Sequence, residues 1–314
     1  MALDQATSGL LQQMAESGAK PLHEMTPEEA RGFGGMLREL YGAGPEMSRV
    51  EDISIPAPHG DIPARVLVPN GDPRSVIVYY HGGGWVIGAL DEFDTLGRQL
   101  AEKSSSTVVL VDYRLAPEHR YPAAVEDAAT ALEWVAKSLG NLAYDGAPVV
   151  VMGDSAGGNL AAIVAQRARR DGPEIALQVL VYPVTDCDVD NDSYRDPENQ
   201  LLLTRDSMIW FWDHYTPDPS CRTAPDASPL RVDDLSGLPP AVVLTAEHDV
   251  LRDEGEAYAA KLRAAGVPVE HRRLDGQMHG FFTMPNVLPG ASVGLDYVVE
   301  QLDRHLGSRS TTSA

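Results

Sequence analysis

Hydrophobic positions along this chain keep two alternating rhythms. One is a series of short apolar or β-branched stretches: SVIVYY (75–80), STVVLVDY (106–113), APVVVM (147–152), ALQVLVY (176–182), PAVVLTA (240–246) and VEHRRL (269–274). Near-continuous Val, Ile and Leu over this length predicts strands buried on both faces. The other rhythm fills the gaps. Residues 94–104, 123–138, 159–170 and 254–265 repeat their apolar positions at helical spacing. Strands taking turns with helices predict an α/β fold, with a mostly parallel central sheet flanked by helices and joined by right-handed crossovers.

Three stretches depart from this alternation. Val50 to Pro58 and Ile62 to Val68 alternate like half-buried strands around the turn residues His59-Gly60-Asp61. Upstream, Leu3, Leu10, Leu11 and Met14 mark a helical stripe within residues 2–18, and Thr26-Pro27-Glu28-Glu29 reads as a capping box opening a helix to about Tyr41. Residues 186–239 lie between two strands and are too long for an ordinary connection. They hold a helical pattern, TRDSMIWFWDHY (204–215), rich in large apolar side chains. The domain reading is a sheet-bearing catalytic domain over 46–314 and a helical cap made of 1–45 with the insertion 187–218. The aromatic cluster of the insertion is expected to pack on the body, with one or two side chains also lining a ligand pocket.

Composition narrows the function more than the fold. With 43% hydrophobic and 23% charged residues the chain is an ordinary globular sequence. A formal net charge of -21 repels nucleic acid and anionic membranes, so neither is expected as a partner. Cys187 and Cys221 make neither a disulfide framework nor a zinc pattern. The first residues lack a basic segment followed by a long apolar one, and nothing approaches the ~18 apolar residues of a membrane span. A cytoplasmic protein is the expectation.

The strongest chemical signal is VVVMGDSAGGNL (149–160). A strand runs into Gly153-Asp154-Ser155-Ala156-Gly157 and a helix follows, the context that G-x-S-x-G needs to expose a nucleophilic serine. The helix start behind Ser155 favours developing negative charge. HGGGW (81–85) follows another strand, and its glycines leave backbone N–H groups open to an anionic oxygen. The phosphate-binding glycine patterns are absent, so an oxyanion hole is the better reading beside a nucleophile elbow.

HGGGW, DYRLAPEHRYPAA (112–124), GDSAGG, DVLRDEGEAY (249–258) and MHGFF (278–282), in that order, resemble the hormone-sensitive lipase family of α/β-hydrolases, specifically its bacterial carboxylesterases with GDSAG. The resemblance runs from about residue 75 to the end. It implies the α/β-hydrolase fold, esterase activity, no cofactor, and a cap of N-terminal helices plus an insertion. It also implies oxyanion N–H donors at Gly83, Gly84 and Ala156, with Gly82 as an adjacent alternative. The chain order Ser…Asp…His selects His279, in the loop after the last strand, over His271 within the strand pattern and His248 beside the acids. Asp112, Arg114 and Glu118 are expected to brace the loops near HGGGW through charge-assisted bonds, with Asp154 and His81 supporting the site.

TAEHDVLRDEGE (245–256) crowds five carboxylates around one histidine. A metal site is weak there, with no second cluster of ligands. Glu254 and Glu256 belong to the following helix, where early acids suit the dipole. Asp253 is an N-cap or first-turn residue, and Glu247 sits at the strand end. The family pattern D-x-L-R-D-E-G puts the catalytic acid at Asp249, with Asp253 the runner-up, and Val250 departs from the family's frequent proline.

The reading is a carboxylesterase acting on short- to medium-chain esters through Ser155, His279 and Asp249. An amidase, arylformamidase or lactonase could use the same triad, and non-catalytic hormone receptors of plants share the resemblance without a full one. The edge strand near 269–274 would let two copies pair as a homodimer.

Overall fold

A computed structural model describes residues 2–18 and 20–307. Eight strands form one sheet: β1 (Arg49–Ile55), β2 (Ile62–Val68), β3 (Val76–Tyr80), β4 (Thr107–Val111), β5 (Val149–Asp154), β6 (Leu177–Val181), β7 (Ala241–His248) and β8 (Val269–Met278). Their order is β1-β2-β4-β3-β5-β6-β7-β8. β1 and β2 form the antiparallel hairpin expected around His59-Gly60-Asp61, and β2 runs antiparallel to β4. From β4 to β8 every pairing is parallel.

The helices are α1 (Gln5–Glu16), α2 (Pro27–Tyr41), α3 (Leu90–Ser104), α4 (Ala123–Lys137), α5 (Leu139–Leu142), α6 (Ala156–Asp171), α7 (Asp192–Arg195), α8 (Arg205–Tyr215), α9 (Pro219–Arg222), α10 (Arg252–Ala264) and α11 (Pro289–Leu306). Side chains alternate across each strand, so the central strands feed two cores. Val78, Tyr80, Val109, Val151, Leu180 and Val243 pack with α4, α6 and α10 through Leu132, Leu160 and Leu262. Ile77, Tyr79, Val108, Val150, Val179 and Val242 pack with α3 and α11 through Leu96, Leu100, Val298 and Leu302. β3, β4, β5 and β6 are buried at every residue, which is why they read as unbroken apolar runs. Each fully buried Val, Leu or Ile contributes about 1.5–3 kcal/mol before entropy is counted.

The sheet order reverses direction at one place. From β3 the chain steps to β4 on one side, then crosses back to β5 on the other and continues to β8. Neighbouring β3 and β5 therefore send their following loops in opposite directions, opening a crevice above their carboxyl ends. HGGGW leaves β3 at that crevice and GDSAG leaves β5, because Tyr80 is paired with Gly153.

Element boundaries differ from the periodicity in one consistent way. α3, α6 and α10 begin at Leu90, Ala156 and Arg252, two to four residues before the apolar rhythm sets in at 94, 159 and 254. The first turns are built of small or charged residues, Asp91 and Glu92 in α3, Gly157 and Gly158 in α6, Arg252 and Asp253 in α10, so they carry no apolar stripe. β8 continues past 274 to Met278, with a register irregularity opposite Ala246 to His248. That extension brings His279 level with the end of β7.

The N-terminal helices and the insertion pack on this body. Thr26 and Glu29 exchange the reciprocal bonds of the capping box. Asp4 N–H donates to Gly276 O (3.1 Å) and Gln277 Nε2 donates to Asp4 Oδ2 (2.6 Å), tying the start of α1 to the end of β8. In α8, Met208, Trp212 and Tyr215 are buried in the core, as expected for packing on the body. The Trp85 ring stacks on Tyr215 with centroids 4.2 Å apart.

Candidate active site

Ser155 occupies the turn between β5 and α6 with φ 54 and ψ -119. A non-glycine residue rarely holds a positive φ, and the strain persists only where the surroundings enforce it. Here Ser155 N–H donates to Val181 O (2.9 Å) while its carbonyl accepts from Asn159 (3.0 Å) and Val184 (3.2 Å). The flanking glycines permit the turn: a Cβ on Gly157 would strike the Tyr80 carbonyl, and one on Gly153 would strike the Gly157 backbone. Gly157→Ala is accordingly expected to cost about 1–3 kcal/mol of stability, checked by the denaturation midpoint, and to lower activity as the turn shifts.

His279 follows β8 directly and Asp249 follows β7 directly, so neighbouring strand ends deliver both. His279 Nε2 lies 3.1 Å from Ser155 Oγ, and His279 Nδ1 lies 2.8 Å from Asp249 Oδ2. Asp249 is fully buried, and its Oδ1 accepts from Leu251 N–H at 2.9 Å. Tyr182, the residue after β6, leans its ring on His279 with centroids 4.5 Å apart. Sequence reasoning missed Tyr182, because a tyrosine at the end of a strand pattern looks like ordinary core.

The remaining acids of TAEHDVLRDEGE have separate tasks. Asp253 lies in the first turn of α10 and accepts from Ser193 N–H (2.9 Å) and Arg252 Nε (2.9 Å), away from His279. Glu247 accepts from Gly276 N–H at 2.7 Å. Glu256 pairs with Arg273. Glu254 lies in the first turn of α10, as expected of an early helix acid, but it is also buried and accepts from the N–H groups of Thr185 (2.6 Å) and Asp186 (3.2 Å). Burial holds its carboxyl well above the usual range. Among the described residues no group of three or more His, Cys, Asp or Glu side chains is arranged to hold a metal ion.

The glycine loop reaches over from β3. Gly82 N–H is already committed to Asp154 Oδ1 at 2.9 Å. Gly83 turns its carbonyl into the loop, where it accepts from Val86 (3.0 Å) and Ile87 (2.9 Å). Gly83 and Gly84 have φ 107 and 57, and a Cβ on Gly84 would overlap the Phe211 ring. Ala156 N–H is the first of α6 and has no acceptor within the helix. Behind the loop, Asp154 also accepts from Tyr79 Oη at 2.7 Å, and burial pushes its carboxyl up to about 6 despite both bonds. Burial pushes the His81 imidazole down to about 4. Neutral His81 stacks on Tyr113, whose hydroxyl donates to His81 O at 2.7 Å.

The bracing expected of Asp112, Arg114 and Glu118 divides. Glu118 grips Arg31 of α2, whose guanidinium also donates to Val86 O (2.9 Å) and Ala116 O (2.9 Å), so this pair does clamp the glycine loop. Arg114 instead ties to Asp127 of α4 at 2.8 Å. Asp112 makes no ion pair among the described residues, and burial pushes its carboxyl up to about 6. DYRLAPEHRYPAA does not show these partners, because Arg31 lies far upstream in the chain.

A cavity of about 410 Å³ opens beside Ser155 and His279. Its apolar wall includes Leu11 and Met14 of α1, Leu22, Met25, Phe211 of α8 and Met284. Of the aromatic residues on α8, Phe211 borders this cavity.

A family model described as alpha/beta hydrolase fold matches residues 77–283. The chain is 43% identical to the carboxylic ester hydrolase LipN of Mycobacterium tuberculosis over 82% of its length and 70% of that protein's. It is 36% identical to an ethyl acetate hydrolase of Pseudomonas putida over 94% of this chain and 96% of that one. In three dimensions it is similar to the ester hydrolase EH1AB1 from the metagenome of Lake Arreo, at TM-score 0.92 and 36% identity, covering 98% of this chain and 100% of that chain.

Proposed function

Since the chain belongs to the alpha/beta hydrolase fold family and is a serine ester hydrolase, we propose that Ser155, His279 and Asp249 hydrolyse carboxylic esters through an acyl-enzyme. Ser155 Oγ attacks the ester carbonyl while His279 Nε2 takes its proton. Asp249 holds the imidazole ring and stabilises its charged form. The oxyanion rests on the N–H groups of Gly83, Gly84 and Ala156. His279 then protonates the departing alcohol, and a water activated by the same ring releases the acid. The observation that carries this reading is the unbroken chain of contacts, 3.1 Å from Ser155 Oγ to His279 Nε2 and 2.8 Å from His279 Nδ1 to Asp249 Oδ2.

The substrates are esters of short to medium acyl chains. In support, the cavity is bounded by the N-terminal helices and the insertion, which act as the cap, and its 410 Å³ lies low in the range of roughly 300–1,000 Å³ for ligand sites. A series of p-nitrophenyl esters should peak below C12, and a maximum at C12 or longer overturns this part. An organophosphonate should label Ser155 covalently, and matched amides should turn over more slowly than the esters. The protein works in the cytoplasm; among the described residues no helix is long and apolar enough to cross a membrane. β8 is a sheet edge through which two copies would pair, a point that size-exclusion chromatography with light scattering tests.

A further inference from the structure

The cavity beside Ser155 is mostly apolar, yet Glu92 of α3 borders it. Its neighbour Asp91 is engaged by Arg65 (2.9 Å), and Asp94, one turn on, is shared by Arg65 and Arg98. The Glu92 carboxyl has no hydrogen-bond or ionic partner among the described residues, its backbone N–H alone donating to Ala89 O (2.9 Å). Lys20, which also borders the cavity, is held by Glu29 at 3.5 Å. A half-buried carboxyl without a partner is costly to keep.

We infer that Glu92 is a specificity-determining residue, selecting esters that carry a cationic or hydrogen-bond-donating group and rejecting anionic ones. The inference rests on the cavity being the ester site. A ligand cation or donor entering an otherwise apolar cavity would meet Glu92 as its one unengaged carboxyl at the wall; Asp154, the other acid there, is already bonded to Tyr79 and Gly82. Attraction between charges in such partly dry surroundings is several times stronger than in water.

The selection depends on pH. Burial, with Asp112 and Asp91 as like charges nearby, pushes Glu92 up to about 7. The groups around it are Asp91, Asp94 and Arg65 on the α3 side, Asp112 after β4, Tyr41 ending α2, Lys20 before α2, and Asp154 and His279 at the cavity floor. Glu92 is neutral below this range and accepts or donates a hydrogen bond; above it the carboxylate attracts cations. Preference for a cationic ester over its neutral isostere therefore rises with pH. Taking a ratio of two esters cancels whatever pH dependence the two substrates share in the catalytic steps.

Two isosteric pairs test this on either side of the ester bond. Acetylcholine with 3,3-dimethylbutyl acetate varies the alcohol, and ethyl 4-(trimethylammonio)butanoate with ethyl 5,5-dimethylhexanoate varies the acyl group. The cationic-to-neutral ratio of kcat/KM should rise about tenfold between pH 6 and pH 8 for at least one pair in the wild-type protein. In Glu92→Gln the same ratio should be low and flat with pH. The wild-type profile is a test by itself should the variant misfold. A ratio indifferent to pH in the wild type, or a rise that survives in Glu92→Gln, overturns the role of Glu92 alone. Failure of the wild-type protein to hydrolyse any of the four esters would instead count against the esterase reading.

Discussion

Ser155→Ala should fold like the wild-type protein and lose roughly 10⁴–10⁶ of kcat. The substitution removes one oxygen and no packing. The strained backbone is held by Val181, Asn159 and Val184 through main-chain atoms, none of which changes. The thermal midpoint should therefore stay close to the wild-type value. What disappears is the nucleophile 3.1 Å from His279 Nε2. The glycine loop and the cavity would still bind the ester and stabilise an oxyanion raised by water, so a small residual rate is expected. Turnover near the wild-type rate would remove Ser155 from the mechanism.

Asp249→Asn should lower kcat by about 10⁴ while leaving KM within a few fold. Asp249 is fully buried, with one oxygen accepting from Leu251 N–H and the other facing His279 Nδ1. An asparagine keeps an acceptor on only one side. Either the Leu251 N–H loses its partner or the amide group faces the imidazole and stabilises the wrong tautomer. Removing the negative charge also withdraws the stabilisation of the imidazolium that forms in the transition state. Asp253→Asn is the informative companion, because Asp253 serves Ser193 and Arg252 within its own neighbourhood. It should change kcat little. If Asp253→Asn were inactive and Asp249→Asn fully active, the catalytic acid would have to be reassigned.

The strands and helices of this protein are legible in its hydrophobic positions because burial on both faces leaves little choice of residue. β3, β4, β5 and β6 come within two residues of the stretches read from the pattern. Periodicity alone placed the starts of α3, α6 and α10 two to four residues late, because their first turns hold small or charged residues, while the G-x-S-x-G turn did put the start of α6 directly behind Ser155. The candidate nucleophile and histidine stand out because each lies in a short, distinctive motif. Asp249 was harder, as five acids share one segment and a linear pattern does not show which faces His279. Glu92 and Tyr182 left no signal at all, and Arg31 lies too far from its partner Glu118 to be linked to it by inspection.

Periodicity by itself determined the α/β class and the places where the chain must turn, and G-x-S-x-G and HGGGW determined where chemistry was to be sought. Those are local matters, decided by how residues a few positions apart share a face or a turn. The tertiary structure alone decided that β3 and β5 are neighbours, that the ends of β7 and β8 bring Asp249 to His279, that Gly82 is spent on Asp154, and that Glu92 stands unpaired at the cavity wall. Each of these depends on contacts between segments distant in sequence, and sheet order with register, rather than any run of residues, sets which side chains meet.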